Sequence, residues 1–274
     1  MSGEMTLMEH FHELRGRVIH IAVSVIVVSL FCMSFGLRTF EYGGVTLVYP
    51  FPDPIHNVAV GLTHYMQESL LPHEVRLIQT APGQAFFAQF NVALLLGVLA
   101  SLPVIVMEIS GFVSPAISSR TKGSIAKVLF FVFVLFAAGI IFSYLFVIPF
   151  TLDFLYKYGQ AIGVETFLNV NDFIAFVMQF FVGFGVAFQL PIIMYVVSLT
   201  EAISPRFWRN NLRYAIIAIA IFGAAITPDG SGITMWFVSL PMIGLYLAGM
   251  FVVERRAHSL QGPERQTGER PVQL

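Results

Sequence analysis

Charge is scarce in this chain. Of its 274 residues only 11% are charged, 57% are hydrophobic, and the mean hydropathy is +0.78. A soluble domain carries roughly 25% charged residues, so these side chains cannot clothe a water-facing surface and lipid must take its place. Cysteine is nearly missing: Cys32 stands alone, which excludes a disulfide within the chain and a cysteine-built metal site. An excess of positive charge is also missing. The formal net charge is −1, which argues against a nucleic-acid partner. There is no Gly-rich phosphate loop with its Lys and no G-x-S-x-G nucleophile elbow. No Asp lies inside the apolar runs, so an intramembrane aspartyl site has no residues to build it. His10 and His12 are two apart, which places them about 200° from each other on a helix and disfavours a shared metal. The expectation is a chain that is not an enzyme, with no catalytic residue, cofactor or metal.

What the chain has is long apolar runs. A helix needs about 20 apolar residues to cross a ~30 Å hydrocarbon core. Runs at 18–35, 86–107, 128–150, 173–199 and 233–253 meet that length. A sixth span, at 212–227, is short; its apolar part, Tyr214 to Ile226, reaches only about 20 Å as a helix. It spans if the bilayer thins or if Arg209 and Arg213 snorkel to the headgroups; otherwise it is re-entrant. The turn sequence Thr227-Pro228-Asp229-Gly230 and the returning apolar run favour a short span. Arg15 and Arg17 before the first run resemble the start of a signal peptide, but no small-x-small cleavage site follows, so the first run is read as a retained helix.

Positive charge orients these spans. With the N-terminus inside, only Arg38, Arg76 and Lys157 of the 15 Lys and Arg fall in outer segments. Such a bias predicts both termini in the cytoplasm. An even number of spans is required for that, which supports six. The expected organisation is one membrane domain, 1–256, with outer loops at 36–85, 151–171 and 228–232, and a polar tail at 257–274 that reads as disordered. In the first loop, Asp53-Pro54 reads as the start of a short helix ending near Leu71-Pro72, with Asp53 as N-cap. Asn171 or Asp172 is expected to cap the fourth span. No internal repeat of the secondary-transporter kind is visible.

Polar residues in or beside lipid mark candidate sites. Gln189 lies in the fourth span, in Phe188-Gln189-Leu190-Pro191; it is either an interhelical hydrogen bond or part of a functional face. Pro191 and Pro103 should kink their helices. Glu108, at the inner end of the second span, is either functional or an interfacial carboxylate paired with an Arg. Asp229 is most simply a turn residue. Before the first span, Glu9 and Glu13 lie one helical turn apart, and Arg15 and Arg17 anchor the helix at the surface. Two carboxylates there can receive cationic groups by charge-assisted hydrogen bonds.

Four blocks, in order, give these residues a family. His10, Glu13, Leu14, Arg15 and Arg17 match an H-x-x-E-L-R-x-R opening. Phe112 and Pro115 match a Phe-x-x-Pro block after the second span. Phe184, Gly185, Phe188, Gln189 and Pro191 match F-G-x-x-F-[EQ]-x-P. Thr227, Pro228 and Asp229 match a Thr-Pro-Asp turn. Over about residues 8–255 the chain resembles the TatC subunit of the twin-arginine protein translocase.

The resemblance implies an all-α polytopic membrane protein, six transmembrane helices in a curved, kinked bundle. It implies a receptor for signal peptides with two adjacent arginines, which supports transport of folded proteins across the cell membrane driven by the proton-motive force. Implied partners are single-span subunits of TatA and TatB type, the signal peptides themselves, and further copies in a complex. Implied signal-peptide residues are Glu13, Glu9, Arg15 and Glu108. Implied intramembrane or partner contacts are Gln189, Phe112, Pro115, Pro50, Phe86 and Asp229. The chain departs from the pattern where the family usually carries a loop glutamate: Thr121 stands there, and Glu108, Glu9 and Glu201 are the carboxylates that can replace it. The family's Gln after the Asp turn is also missing, with Gly232-Ile233-Thr234 in its place, and the first outer loop is longer than usual. A secondary transporter would need midplane ionisable groups and repeated halves, which the sequence does not show. A ligand-free scaffold would tolerate loss of Glu13 and Gln189.

Overall fold

The computed structural model describes residues 7–42, 45–72, 75–113, 122–199, 203–227 and 230–261. It is built mainly from helices. α1 (Leu7–Ser34) runs into a hairpin of β1 (Phe35–Tyr42) and β2 (Val45–Pro52). Next come α2 (Val58–Leu70), the short β3 (Arg76–Ile78) and α3 (Gln84–Val113). α4 (Lys122–Phe142) passes through a π-helical turn at Ser143–Val147 into α5 (Ile148–Ala161). β4 (Phe167–Asn169), α6 (Val170–Ala187), α7 (Leu190–Leu199), α8 (Pro205–Asn210), α9 (Leu212–Ile226) and α10 (Gly232–Gln261) complete the described residues.

Five helical stretches among the described residues are long and apolar enough to cross a membrane: Phe11–Ser34, Gln84–Ile109, Phe130–Ala161, Val170–Ser198 and Gly232–Arg256. α9 has 15 residues, about 22 Å of helix, and stays below that length. The apolar side chains left on the outside of these helices, such as Val23, Ile26, Val27 and Leu30 of α1, make this a multi-pass membrane protein rather than one with a solvated surface.

Tight crossings hold the helices together. Where α3 meets α1, a side chain on Gly97 would collide with Ser29 Oγ and lie 2.7 Å from the Val25 carbonyl oxygen. One turn further along α3, Ser24 Oγ donates to Ser101 Oγ at 2.9 Å. Without a hydrophobic drive between helices in lipid, small residues and interhelical hydrogen bonds supply the contact. α4 meets α6 through aromatic rings: Phe142 lies 5.9 Å from Phe184 and 5.6 Å from Phe188, centroid to centroid. The helix of the fourth span breaks at Phe188 and Gln189, within one turn before Pro191, whose missing N–H removes a rung of the ladder. Pro103 and Pro241 sit inside α3 and α10 without ending either helix.

Four expectations change. The all-α reading misses the hairpin, whose antiparallel register pairs Phe35 with Pro52 and Arg38 with Tyr49. The helix after the hairpin is capped by Asn57, not Asp53: its Oδ1 accepts from Val60 N at 2.9 Å, and its amide donates to Met33 O and Pro54 O. Asp53 instead closes its own turn, accepting from the backbone N–H of His56 at 3.0 Å and of Ile55 at 3.2 Å. The His56 amide is the main influence holding this carboxyl below the usual carboxylate range. α6 is capped by Asn169, whose side chain accepts from Asn171 N at 2.8 Å, rather than by Asn171 or Asp172. Finally, α10 continues to Gln261, covering residues 257–261 of the expected tail. The segment 151–171 is helical as far as Ala161, and its far end returns β4 to pair in parallel with β3.

Candidate functional site

α1 and α3 cross antiparallel, so the first turns of one lie beside the last turns of the other. That arrangement brings Glu13, Arg17 and His20 of α1 against Glu108 of α3. Glu13 and Arg17 are four residues apart with the acid N-terminal, the favourable order for an ion pair on one helix face. Arg17 Nη2 and Nε both donate to Glu13 Oε1, at 2.6 and 3.1 Å. Its Nη1 reaches across to Glu108, donating to Oε2 at 3.2 Å and to the backbone oxygen at 3.1 Å. His20 Nδ1 lies 3.0 Å from Glu108 Oε1. Both carboxylates and the guanidinium are about a quarter exposed, and the His20 ring is 69% exposed. The cluster is therefore half-sheltered.

Two carboxylates are held on one guanidinium. With His20 neutral the cluster carries one net negative charge. In a half-sheltered setting that charge attracts cations more strongly than it would in bulk water. Among the described residues no group of three or more His, Cys, Asp or Glu is placed to hold a metal ion.

The remaining candidates are dispersed. Glu9 lies in α1 one turn before Glu13. Arg15 is exposed and, two residues from both Glu13 and Arg17, projects from another face of α1. Phe112 is in the last turn of α3. Pro115, Thr121, Glu201 and Asp229 lie outside the described residues. Pro50 is on β2 opposite Leu37. Phe86, in the first turn of α3, is exposed and meets Phe87 edge to face.

Gln189 sits at the break between α6 and α7. Its amide donates to Val132 O of α4 at 3.3 Å and to Gly185 O at 3.2 Å. Its Oε1 is enclosed without a hydrogen-bond partner among the described residues. Further along α6, an open apolar groove of about 390 Å³ runs between α6 and α9, lined by Met178, Val182, Val186, Phe222 and Ile226 among others.

Arg17 and His20 are the members that sequence reasoning did not assign to the site. The i, i+4 spacing of Glu13 and Arg17 was a usable signal for the first. Pairing of Glu108 with an Arg was one of its two sequence readings; that the partner is Arg17, and that His20 joins it, had no local signal. Removing that carboxylate leaves Glu13 and Arg17 paired, so Glu108→Ala is expected to lower the affinity of the cluster for an arginine-bearing peptide only partly, by a few-fold, with unchanged membrane abundance. A peptide-binding measurement on this variant checks it; full affinity would remove Glu108 from the site.

Comparison with known proteins places this geometry in a family. Residues 9–241 match the family model described as Sec-independent protein translocase protein (TatC). A protein of Cenarchaeum symbiosum named Sec-independent protein translocase protein TatC is 51% identical over 254 residues, covering 93% of this chain and 96% of that one. The protein of the same name from Aquifex aeolicus is 29% identical, covering 90% and 94%. A solved structure titled as the twin-arginine translocase receptor TatC superposes with a TM-score of 0.74 at 26% identity, covering 91% of this chain and all of the other. With its order of helices and its sequence both matched nearly end to end, this chain belongs to the TatC family of Sec-independent protein translocases.

Proposed function

We propose that this chain is the signal-peptide receptor and core subunit of a twin-arginine translocase in the cell membrane. The observation that carries this reading is the pair Glu13 and Glu108, gathered from two helices onto one guanidinium within 3.2 Å. A carboxylate pair at that spacing is suited to the planar, multi-donor head of an arginine. The charge bias of the sequence supports an inside N-terminus and C-terminus, six spans and α9 as the short fifth, so the cluster opens to the cytoplasm, where signal peptides arrive. Glu108 then takes over from the family's loop glutamate, in whose place Thr121 stands. The peptide's apolar stretch follows the face of α6 that carries Gln189 and the groove. Single-span partners of TatA and TatB type, together with further copies of this chain, complete the transport machinery. Six helices, one short, are too few to enclose a folded cargo, so the passage itself is built with those partners and driven by the proton-motive force.

Photo-crosslinking tests this reading. A photoreactive residue replaces His12, beside Glu13, and membrane vesicles of both orientations are offered a signal peptide carrying Arg-Arg or Lys-Lys. Crosslinking is expected with Arg-Arg alone, and only in inside-out vesicles. Equal crosslinking to both peptides would refute arginine recognition, and labelling only in right-side-out vesicles would refute the orientation.

A further inference from the structure

Arg17 occupies the space between the two carboxylates, where a ligand guanidinium would bind if the site were bare. It uses Glu13 Oε1 twice and takes Glu108 Oε2 together with the Glu108 carbonyl oxygen. What remains for a ligand is Glu13 Oε2, which has no hydrogen bond among the described residues, and Glu108 Oε1, shared with the exposed and displaceable ring of His20. We propose that Arg17 sets the arginine selectivity of the site, as a built-in guanidinium that spaces and orients the two carboxylates for a second one. This inference rests on the receptor reading above.

Charge alone cannot separate Arg-Arg from Lys-Lys, because the two peptides carry the same charge. Two bare carboxylates would attract either, and they would reorient around whichever arrived. Arg17 changes this in two ways. It cancels one of the two negative charges, which weakens attraction to any cation. It also pins both carboxylates: two donors on one oxygen of Glu13 fix the rotation of that group, and the bond to Glu108 fixes its distance. With Glu13 Oε1 and Glu108 Oε2 pinned by Arg17, the second oxygen of each carboxylate is fixed in place as well; fixed acceptors favour a planar fork, which loses little freedom on binding, over the compact, freely rotating donor of an ammonium.

A second feature points the same way. Gly111 lies in α3 beside Arg17, and a methyl group there would collide with Nη1 and come within 2.9 Å of Cζ and 3.0 Å of Nη2. Glycine inside a helix is unfavourable relative to alanine. Its place here leaves the room that the Arg17 head group occupies beside α3. Gly111→Ala is therefore a way to displace Arg17 without removing its charge.

The experiment measures equilibrium binding of fluorescent Arg-Arg and Lys-Lys signal peptides to the full chain in phosphatidylcholine–phosphatidylglycerol vesicles. Wild type is compared with Arg17→Gln, Arg17→Lys and Gly111→Ala. Loss of one charge-assisted contact corresponds to about tenfold in affinity, so the Arg-Arg to Lys-Lys ratio is expected to fall by about that factor in all three. Lys-Lys binding to Arg17→Gln should be no weaker than to wild type, since a negative charge is uncovered. Equal weakening of both peptides with the ratio intact would overturn the proposal and leave Arg17 a structural ion-pair partner. Gly111→Ala keeps every charge and favours the helix, so it answers the question even if the Arg17 variants insert poorly. A wild-type chain without preference for Arg-Arg would overturn the receptor reading and this inference with it; preference retained in the variants would overturn this inference alone.

Discussion

Glu13→Ala is expected to abolish export of twin-arginine cargo while the protein still inserts and reaches normal abundance, and Glu13→Arg to do so more completely. The asymmetry between function and stability follows from where Glu13 sits. Its side chain and that of Arg17 are about a quarter exposed at the start of α1, and an ion pair of that kind contributes on the order of 1 kcal/mol or less. The spans themselves are untouched. Binding loses more. The incoming arginine loses an acceptor worth about 1.5–3 kcal/mol, a tenfold to hundredfold effect. It also meets Arg17 with only Glu108 left to neutralise it. The net charge of Glu13, Glu108 and Arg17 passes from −1 to zero in the alanine variant and to +1 in the arginine variant, so attraction gives way to repulsion. The measurement is an export reporter read alongside the amount of receptor in the membrane fraction. Normal export by Glu13→Arg would show that the arginine pair is bound elsewhere.

Five of the apolar runs were legible because burial in lipid needs nothing but apolar length: the helical stretches Phe11–Ser34, Gln84–Ile109, Phe130–Ala161, Val170–Ser198 and Gly232–Arg256 overlap them. The hairpin was legible in principle. Gly43-Gly44 lies between two eight-residue runs rich in aromatic and β-branched residues, a recognised hairpin signal, but its position between two apolar runs made the segment look like a plain connection. The start of α2 was misplaced because Asp53-Pro54 and Asn57 carry the same kind of capping signal, and only the bonds from Asn57 to Met33 and Pro54 decide between them. Glu13 stood out by motif and by helical spacing with Glu9. On the helix it is paired with Arg17, and the link from Arg17 to Glu108 joins residues 91 apart in sequence. No local pattern encodes that contact; it exists because α1 and α3 cross antiparallel at one particular depth.

That depth is set at Gly97, and Gly97→Leu is expected to destroy both the stability of the α1–α3 pair and peptide binding. The seam between the two helices has three polar steps on one line. Gly97 lies against Ser29 and the Val25 carbonyl, Ser101 bonds to Ser24, and Glu108 bonds to Arg17 and His20. A side chain at 97 would meet the Val25 carbonyl oxygen at 2.7 Å, and that oxygen belongs to the α1 backbone and accepts from Ser29 Oγ at 2.8 Å. A flexible side chain could swing aside; a helix backbone has to move as a whole. Overpacking of this kind costs about 1–3 kcal/mol, and in lipid no hydrophobic drive recloses the gap. Separation at the first step lengthens the Ser24–Ser101 bond at the second and breaks the reach of Arg17 to Glu108 at the third, so the site is lost together with the crossing. Gly97→Ala is expected to keep the fold at a lower thermal transition in detergent and to weaken Arg-Arg peptide binding severalfold. Ser29→Gly, which clears one of the two obstructions, should restore part of both in the double variant. Thermal unfolding and peptide affinity, measured on the same preparations, test the linkage: a Gly97→Leu protein as stable as wild type, or one that loses stability yet binds peptide unchanged, would show that the crossing does not position the carboxylates.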